Sequence, residues 1–210
     1  MLASEMTDGQ IDDLANKLRD AARKHRGEIN KDHAQEALRS DNIGMRLFAV
    51  FRAIVEEISR QVVHIVMVDR TRTPRQALDV CGRRQYVDQK VAAAMPRGTG
   101  EKVKLTYFKP RPEAFDADGR LSPQKLDDEY KFHGLKPDPQ AQIDDNAANP
   151  AFTDETPNAC QWVDKDGKYC CATFGRWRGG RDVRVDRDDD DWVDGWSFGG
   201  VPDESSASAV

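Results

Sequence analysis

Residues 161–185 read QWVDKDGKYCCATFGRWRGGRDVRV. Apolar runs of strand length alternate there with two stretches dense in turn-forming residues. Trp162-Val163 leads into Asp164-Lys165-Asp166-Gly167, an apolar run follows over 169–174, and Arg178-Gly179-Gly180 turns the chain again into Val183-Arg184-Val185. The pattern predicts an antiparallel meander. Across 182–186 the valines share one parity and the charged residues the other, which predicts buried Val183 and Val185 beneath an outward row containing Arg184. Beyond the aspartate run, Trp192, Asp194, Trp196 and Phe198 share a parity, and 196–201 is expected to form the last strand.

Upstream, the signals are helical. Thr7 and Gln10 form a capping box before Ile11, Leu14, Ala15 and Leu18, Asn30 caps a helix through Leu38, and Asp41 is placed to cap a third. That third helix carries an apolar stripe of Met45, Phe48, Phe51, Val55 and Ile58. Residues 61–68 then change to near-continuous Val and Ile, the composition of a buried strand. Thr73-Pro74-Arg75-Gln76 starts a short helix over 74–81, and Val103, Leu105 and Tyr107 alternate with Lys102, Lys104 and Thr106 as a half-buried strand. Ser122-Pro123 and Asp138-Pro139 open two more helices. The expected class is α+β: a helical segment over 1–60, an α+β domain over 61–201 with a tryptophan-rich C-terminal meander, and a disordered tail over 202–210.

Hydrophobic residues are 38% of the chain and charged residues 33%, enough apolar surface for a core with a heavily charged exterior. The net charge of −5 conceals a division: residues 1–110 hold 20 Lys/Arg against 15 Asp/Glu, and 111–210 hold 12 against 22. A −10 half repels phosphate, so nucleic acid is disfavoured as a partner and would have to be met by Arg70, Arg72, Arg75, Arg83, Arg84 and Arg97. Otherwise these are solvated arginines. Early aspartates argue against a secretory leader, and charges through 42–68 argue against a membrane span, so a cytoplasmic setting with no membrane partner is expected.

Several chemistries fail on their own patterns. Gly195-Trp196-Ser197-Phe198-Gly199 matches a serine-hydrolase elbow, but no histidine follows His133. Asp186, Asp188 and Asp190 have the spacing of a calcium loop, yet Asp191 stands where glycine belongs and Ser197 where glutamate belongs. Adjacent Cys170 and Cys171 face opposite sides of a strand, which disfavours a shared metal. A four-residue turn at 164–167 would set Cys160 opposite Cys171, geometry for a disulfide, although packed thiols suit a reducing compartment better. No catalytic residue, metal or cofactor is therefore assigned.

From about Val66 to Val201 the chain resembles a family of uncharacterised bacterial proteins recurrent in small uncultivated genomes. The resemblance rests on Val68-Asp69-Arg70, Thr73-Pro74, Ala77-Leu78-Asp79, Gly82-Arg83, Met95-Pro96-Arg97-Gly98, Gly134-Leu135-Lys136-Pro137, Asn149-Pro150-Ala151-Phe152, Pro157-Asn158, Gln161-Trp162, Gly167-Lys168-Tyr169-Cys170, Arg176-Trp177 and Trp196. Cys160, Cys171 and Ser197 depart from it, and the helices before about residue 60 lie outside it. Its tail resembles the variable regions of diversity-generating-retroelement targets, which often use a C-type-lectin-like scaffold. That resemblance implies scattered asparagine codons at Gly175, Arg178, Asp182, Arg184, Asp186, Asp188, Asp190, Val193 and Gly195.

The functional expectation is binding rather than catalysis: a polar and aromatic surface that presents those nine positions and Trp192 to an unknown protein or small ligand. The alternatives are a cytosolic enzyme using a cysteine and a nucleic-acid-associated protein using the arginines of 70–97. The stripe on the third helix points to a homo-oligomer.

Overall fold

The computed structural model describes residues 5–188 and 190–204. Its class is α+β, and it divides into two compact units, residues 1–57 and 58–210. The first holds α1 (Asp8–Lys24), α2 (Lys31–Leu38) and most of α3 (Ile43–Ser59). The Thr7–Gln10 capping box and the Asn30 cap form as the sequence predicts. The Asp41 cap does not, because α3 begins at Ile43 and Asn42 supplies the carbonyl that Arg46 bonds. None of the described residues 5–56 is buried. No helix among the described residues is long and apolar enough to cross a membrane.

The second unit is built on an eight-stranded mixed sheet. In chain order its pieces are β1 (Val62–Met67), α4 (Pro74–Val80), β2 (Arg84–Val87), α5 (Gln89–Ala93), β3 (Lys102–Phe108), β4 (Arg120–Leu121), α6 (Pro123–Phe132), β5 (Leu135–Lys136), α7 (Pro139–Ala148), α8 (Phe152–Glu155), β6 (Asn158–Val163), β7 (Tyr169–Trp177), β8 (Gly180–Arg187), β9 (Trp192–Val193) and β10 (Ser197–Pro202). The strand order is β1-β3-β10-β6-β7-β8-β2, with β5 beside the end of β10. β4 and β9 form a separate two-stranded ladder.

The meander of β6, β7 and β8 is antiparallel throughout, joined at its second corner by Arg178 and Gly179, both at positive φ. Three strand expectations need correction. β10 does not extend the meander: it lies between β3, to which it is antiparallel, and β6, to which it is parallel. β1 is an edge strand and is covered on one face only: Val66 is buried, while Val63, Ile65 and Met67 are exposed. The β6–β7 register pairs Val163 with Tyr169 and Cys160 with Ala172, one residue away from the predicted alignment. Lys168 stays outside the ladder, with its carbonyl accepting from Asp164 and its amide bonding the Asp164 side chain. Cys160 and Cys171 therefore face opposite sides of the sheet and cannot be bridged.

The inward face of β6–β8 supplies Trp162, Cys170, Ala172, Phe174, Val183 and Val185 to a core completed by α4, α5 and Ile143 of α7. On the other face, Leu126 and Tyr130 of α6 and Leu121 of β4 cover Phe108, Ala159 and Phe198 at the centre of the sheet. Ser197 and Phe198 are buried within β10, and a Cβ at Gly199 would lie 2.7 Å from Gln142 Oε1. This glycine-containing stretch permits close packing in a central strand and forms no exposed nucleophile turn. Pro202, assigned to the tail in the sequence reading, belongs to β10, and the Asp203 amide donates to Gly134. Residues 205–210 lie outside the described residues.

Helix α7 is unusual in burying polar residues along its length, including Gln140, Gln142, Asp145 and Asn146. Each is held by specific partners. Asp138 caps the helix through the Ala141 amide and accepts from Arg70 Nη1 and Nη2, at 2.9 and 2.6 Å. Asp145 accepts from the Tyr107 hydroxyl at 2.7 Å and from Asn149, with His64 Nδ1 at 2.9 Å from each carboxylate oxygen. Removing one member of such a pair leaves its partner charged and poorly solvated. Asp138→Ala is expected to cost about 3–5 kcal/mol in urea unfolding. A loss under about 1 kcal/mol, the scale of the cap alone, would show that the Arg70 pair contributes little.

Candidate functional site

The outer face of β7, β8 and β2 is open where the central strands are covered, and the chain running from β8 through β9 to β10 crosses beside it. Together they enclose an open groove of about 970 Å³. Cys171, Thr173, Asp182, Arg184 and Asp186 form its floor with Arg84 and Tyr86 of β2, because these positions share the parity opposite to the buried valines. Asp188 and residues 190–193 supply one wall, and Trp177 and Arg178 stand at the hairpin end.

The wall is aromatic and fixed in position. Trp192 donates its indole N–H to Gln161 Oε1 at 2.8 Å and meets Phe198 edge-on at 5.0 Å between ring centroids. Trp196 lies 5.6 Å from Trp192 and 6.2 Å from Trp177. Trp192 and Trp196 thus contact the core and still line the groove. The expected single parity through Trp192 and Phe198 is not realised, since a turn at Gly195 with φ of 101° separates β9 from β10. That turn carries the chain from the short β4–β9 ladder to the centre of the large sheet.

Of the ten residues assigned to a binding surface, Arg178, Arg184, Asp186, Asp188, Asp190, Trp192 and Val193 line the groove with part or most of each residue accessible. The other three have structural duties. Asp182 also borders the groove but is 2% exposed, and receives Arg84 Nε and Nη2 at 2.6 and 2.8 Å. Gly175 lies under the Trp177 ring, where a Cβ would come within 2.8 Å of ring carbons. Gly195 sits at the positive φ of the turn and does not line the groove. Arg84, Tyr86, Asp88, Trp177 and Trp196 line it without having been assigned to it. Only the unpredicted parallel pairing of β2 with β8 brings the first two there.

Among the described residues, some of these charges are ion-paired and others are not. Arg84 neutralises Asp182 and Arg184 neutralises Asp186. The Arg184–Asp186 pair is mutual, as a buried pair would be, but the Arg184 side chain is exposed and Asp186 is partly so. Asp88, Asp190 and Asp191 then remain as exposed carboxylates beside half-buried Asp188, opposed by Arg178. The groove is therefore acidic and aromatic.

Cys171, Asp186 and Asp188 each place one potential ligand atom within 4.8 Å of the others, whereas Asp190, the third member of the calcium-like spacing, is outside that group. The set joins one soft donor to two hard ones, and Cys171 is poorly disposed to become a thiolate. Burial first, then the charges of Asp186 and Asp188, push its pKa up. Calcium, which prefers six to eight oxygens, finds neither the number nor the kind of donor.

The remaining cysteines are buried too, and burial is the leading cause of a raised pKa at Cys81, Cys160 and Cys170. Of the arginines of 70–97, Arg75, Arg84 and Arg97 are exposed, as the solvated reading expects, whereas Arg83 is buried and Arg70 and Arg72 are half-buried. Arg70 bonds Asp138, Arg72 bonds Asp69 and Asp144, Arg83 bonds Thr153 and Asn146, Arg84 bonds Asp182, and Arg97 donates to main-chain carbonyls of Arg70 and Arg72.

No family model, curated protein or solved structure matches this chain.

Thiol nucleophilicity requires access and thiolate character, and buried thiols with raised pKa values lack both. Iodoacetamide at pH 8 is expected to label all four cysteines in denaturant and to leave Cys160 and Cys171 unmodified in the native protein over the same interval. Mass spectrometry checks this. Rapid native labelling of either would restore the case for a cysteine-based reaction.

Proposed function

We propose that this protein is a binding module whose groove between β2, β8 and the β8–β9 segment receives a cationic polypeptide segment. The observation that carries the reading is the coincidence in one concavity of Tyr86, Trp177, Trp192 and Trp196 with carboxylates that have no assigned internal cation, Asp190 and Asp191 foremost. Aromatic faces and carboxylates are both attractive to guanidinium and ammonium groups, the first through the ring quadrupole and the second through charge. A rigid floor supports the reading as well, since Val183 and Val185 anchor β8 from below while its outer side chains change character without touching the core.

The test is a tryptophan-fluorescence titration with a short peptide alternating lysine and serine, and with its glutamate counterpart. The lysine peptide is expected to bind, and to bind more weakly as salt is raised past ~0.15 M, where charges are screened beyond about 8 Å. Replacing Asp190 and Asp191 by asparagine should weaken it roughly tenfold, equivalent to about 1.4 kcal/mol. Equal binding of the glutamate peptide, or indifference to the double substitution, would overturn the assignment.

A second reading concerns how the surface arises. Arg178, Arg184, Asp186, Asp188, Asp190 and Val193 line the groove, and all six are among the positions implied by the resemblance to retroelement targets. Their shared location supports diversification of this surface, whereas Gly175, Asp182 and Gly195 are constrained by packing, pairing and backbone conformation. In the gene, a neighbouring near-repeat of the 3′ end should differ from the coding copy at template adenines. Mismatches at other bases would reject diversification and leave the binding module in place.

A further inference from the structure

A second concavity, of about 520 Å³, lies where the loop before β3 meets β5 and the end of β10. Its charge is opposite to that of the first groove. Lys102 and Lys104 line it from β3, Lys136 from β5 and Arg97 from the loop, and all four are exposed. Two carboxylates share the lining, Asp138 and Glu204. Asp138 is buried and held by Arg70, which leaves Glu204 as the accessible one. Lys136 lies 3.7 Å from Asp203, but among the described residues neither Lys102 nor Lys104 is ion-paired. Arg97 bonds main-chain carbonyls, which do not neutralise it.

The loop that borders these cations is held in one shape. Gly100 has a φ of 79°, and a Cβ at Gly98 would fall 2.0 Å from Asp138 Oδ2, so both positions require glycine. Arg70 donates to the carbonyls of Thr99 and Gly100, at 3.4 and 3.0 Å. In a trans peptide the N–H points opposite to the carbonyl, so the Gly100 amide is turned away from Arg70. It has no acceptor among the described residues.

Open amides of glycine-containing loops and lysine ammonium groups are the donors by which proteins hold phosphate. Carboxylates, by contrast, are best matched by the planar fork of arginine, and three of the four cations here are lysines. Their spread over two strands and a loop suits more than one phosphate. The volume falls within the roughly 300–1,000 Å³ of small-molecule sites.

We propose that this groove binds a small soluble molecule carrying clustered phosphate groups, with Lys102, Lys104 and Lys136 as counter-charges and the Gly98–Gly100 loop along one side. Of the arginines that the sequence offered to phosphate, Arg97 alone lines it. The site is separate from the acidic groove and does not rest on the function proposed for that groove.

Inorganic tripolyphosphate is the probe, measured by equilibrium dialysis against the full chain. It is expected to bind, and Lys102→Gln combined with Lys104→Gln should weaken it roughly tenfold or more, with unchanged circular dichroism. Arginine at the same two positions keeps the charge and should retain most of the affinity. Lys125→Gln with Lys165→Gln removes equal charge outside the groove and should leave binding intact. No binding at millimolar tripolyphosphate, or equal weakening by the two glutamine pairs, would overturn the site. Equal affinity for hexaglutamate would overturn phosphate as the class. Phosphatidylcholine vesicles doped with a phosphorylated inositol lipid distinguish the source of the phosphates. A soluble ligand predicts no co-sedimentation, whereas co-sedimentation lost in the Lys102→Gln, Lys104→Gln chain would assign them to a lipid headgroup instead.

Discussion

The position of β10 governs the second unit. It hydrogen-bonds β3 on one side and β6 on the other, so the sheet has no continuous centre until β10 is in place. Everything between β8 and β10 must then return from the far side of the meander to the middle of the sheet. That return passes through the short β4–β9 ladder and the turn at Gly195, and it lays Trp192 and Trp196 alongside the open outer face of β8. The groove is thus a by-product of connectivity. A strand that merely extended the meander would have left this face flat.

Electrostatics follows from the same packing. Burying α7 against the sheet takes Asp138, Asp144 and Asp145 out of water, and the cost of desolvation is offset by Arg70, Arg72, Tyr107, Asn149 and the ring of His64. At Asp144 desolvation still prevails over its partners and raises the carboxyl pKa. Arg70, Arg72, Arg83 and Arg84 are consequently engaged by buried or half-buried groups of the fold, whereas Asp190 and Asp191 are left at the surface. Segregation of the two signs, visible in the sequence as halves of +5 and −10, becomes in three dimensions an internal network and an acidic groove.

The first unit obeys a different economy of surface. Its helices are well started, with a capping box at Thr7 and an Asn30 cap, yet local capping contributes only about a kcal/mol each. A helix apolar on both sides needs partners on both sides. The groove that α3 shares with α1 meets one of these requirements.

The sequence by itself determined the local features. Capping boxes, prolines at first helical turns and the two meander turns depend on residues within a few positions of one another, and they placed α1, α2, α4, α6, α7, β7 and β8 within a few residues. Period-two alternation likewise determined that Val183 and Val185 are buried while Arg184 faces outward. Only the tertiary structure decided which strands are neighbours. The order of β10, the edge position of β1 and the parallel pairing of β2 with β8 join residues about a hundred positions apart or depend on such pairings, and local propensity carries no record of a partner so distant. One residue of register at Lys168 separated Cys160 from Cys171, and one long-range contact with Arg84 converted Asp182 from a displayed charge into a buried one. Side-chain alternation survives translation from sequence to structure because it is a property of one strand, whereas a site is a property of several.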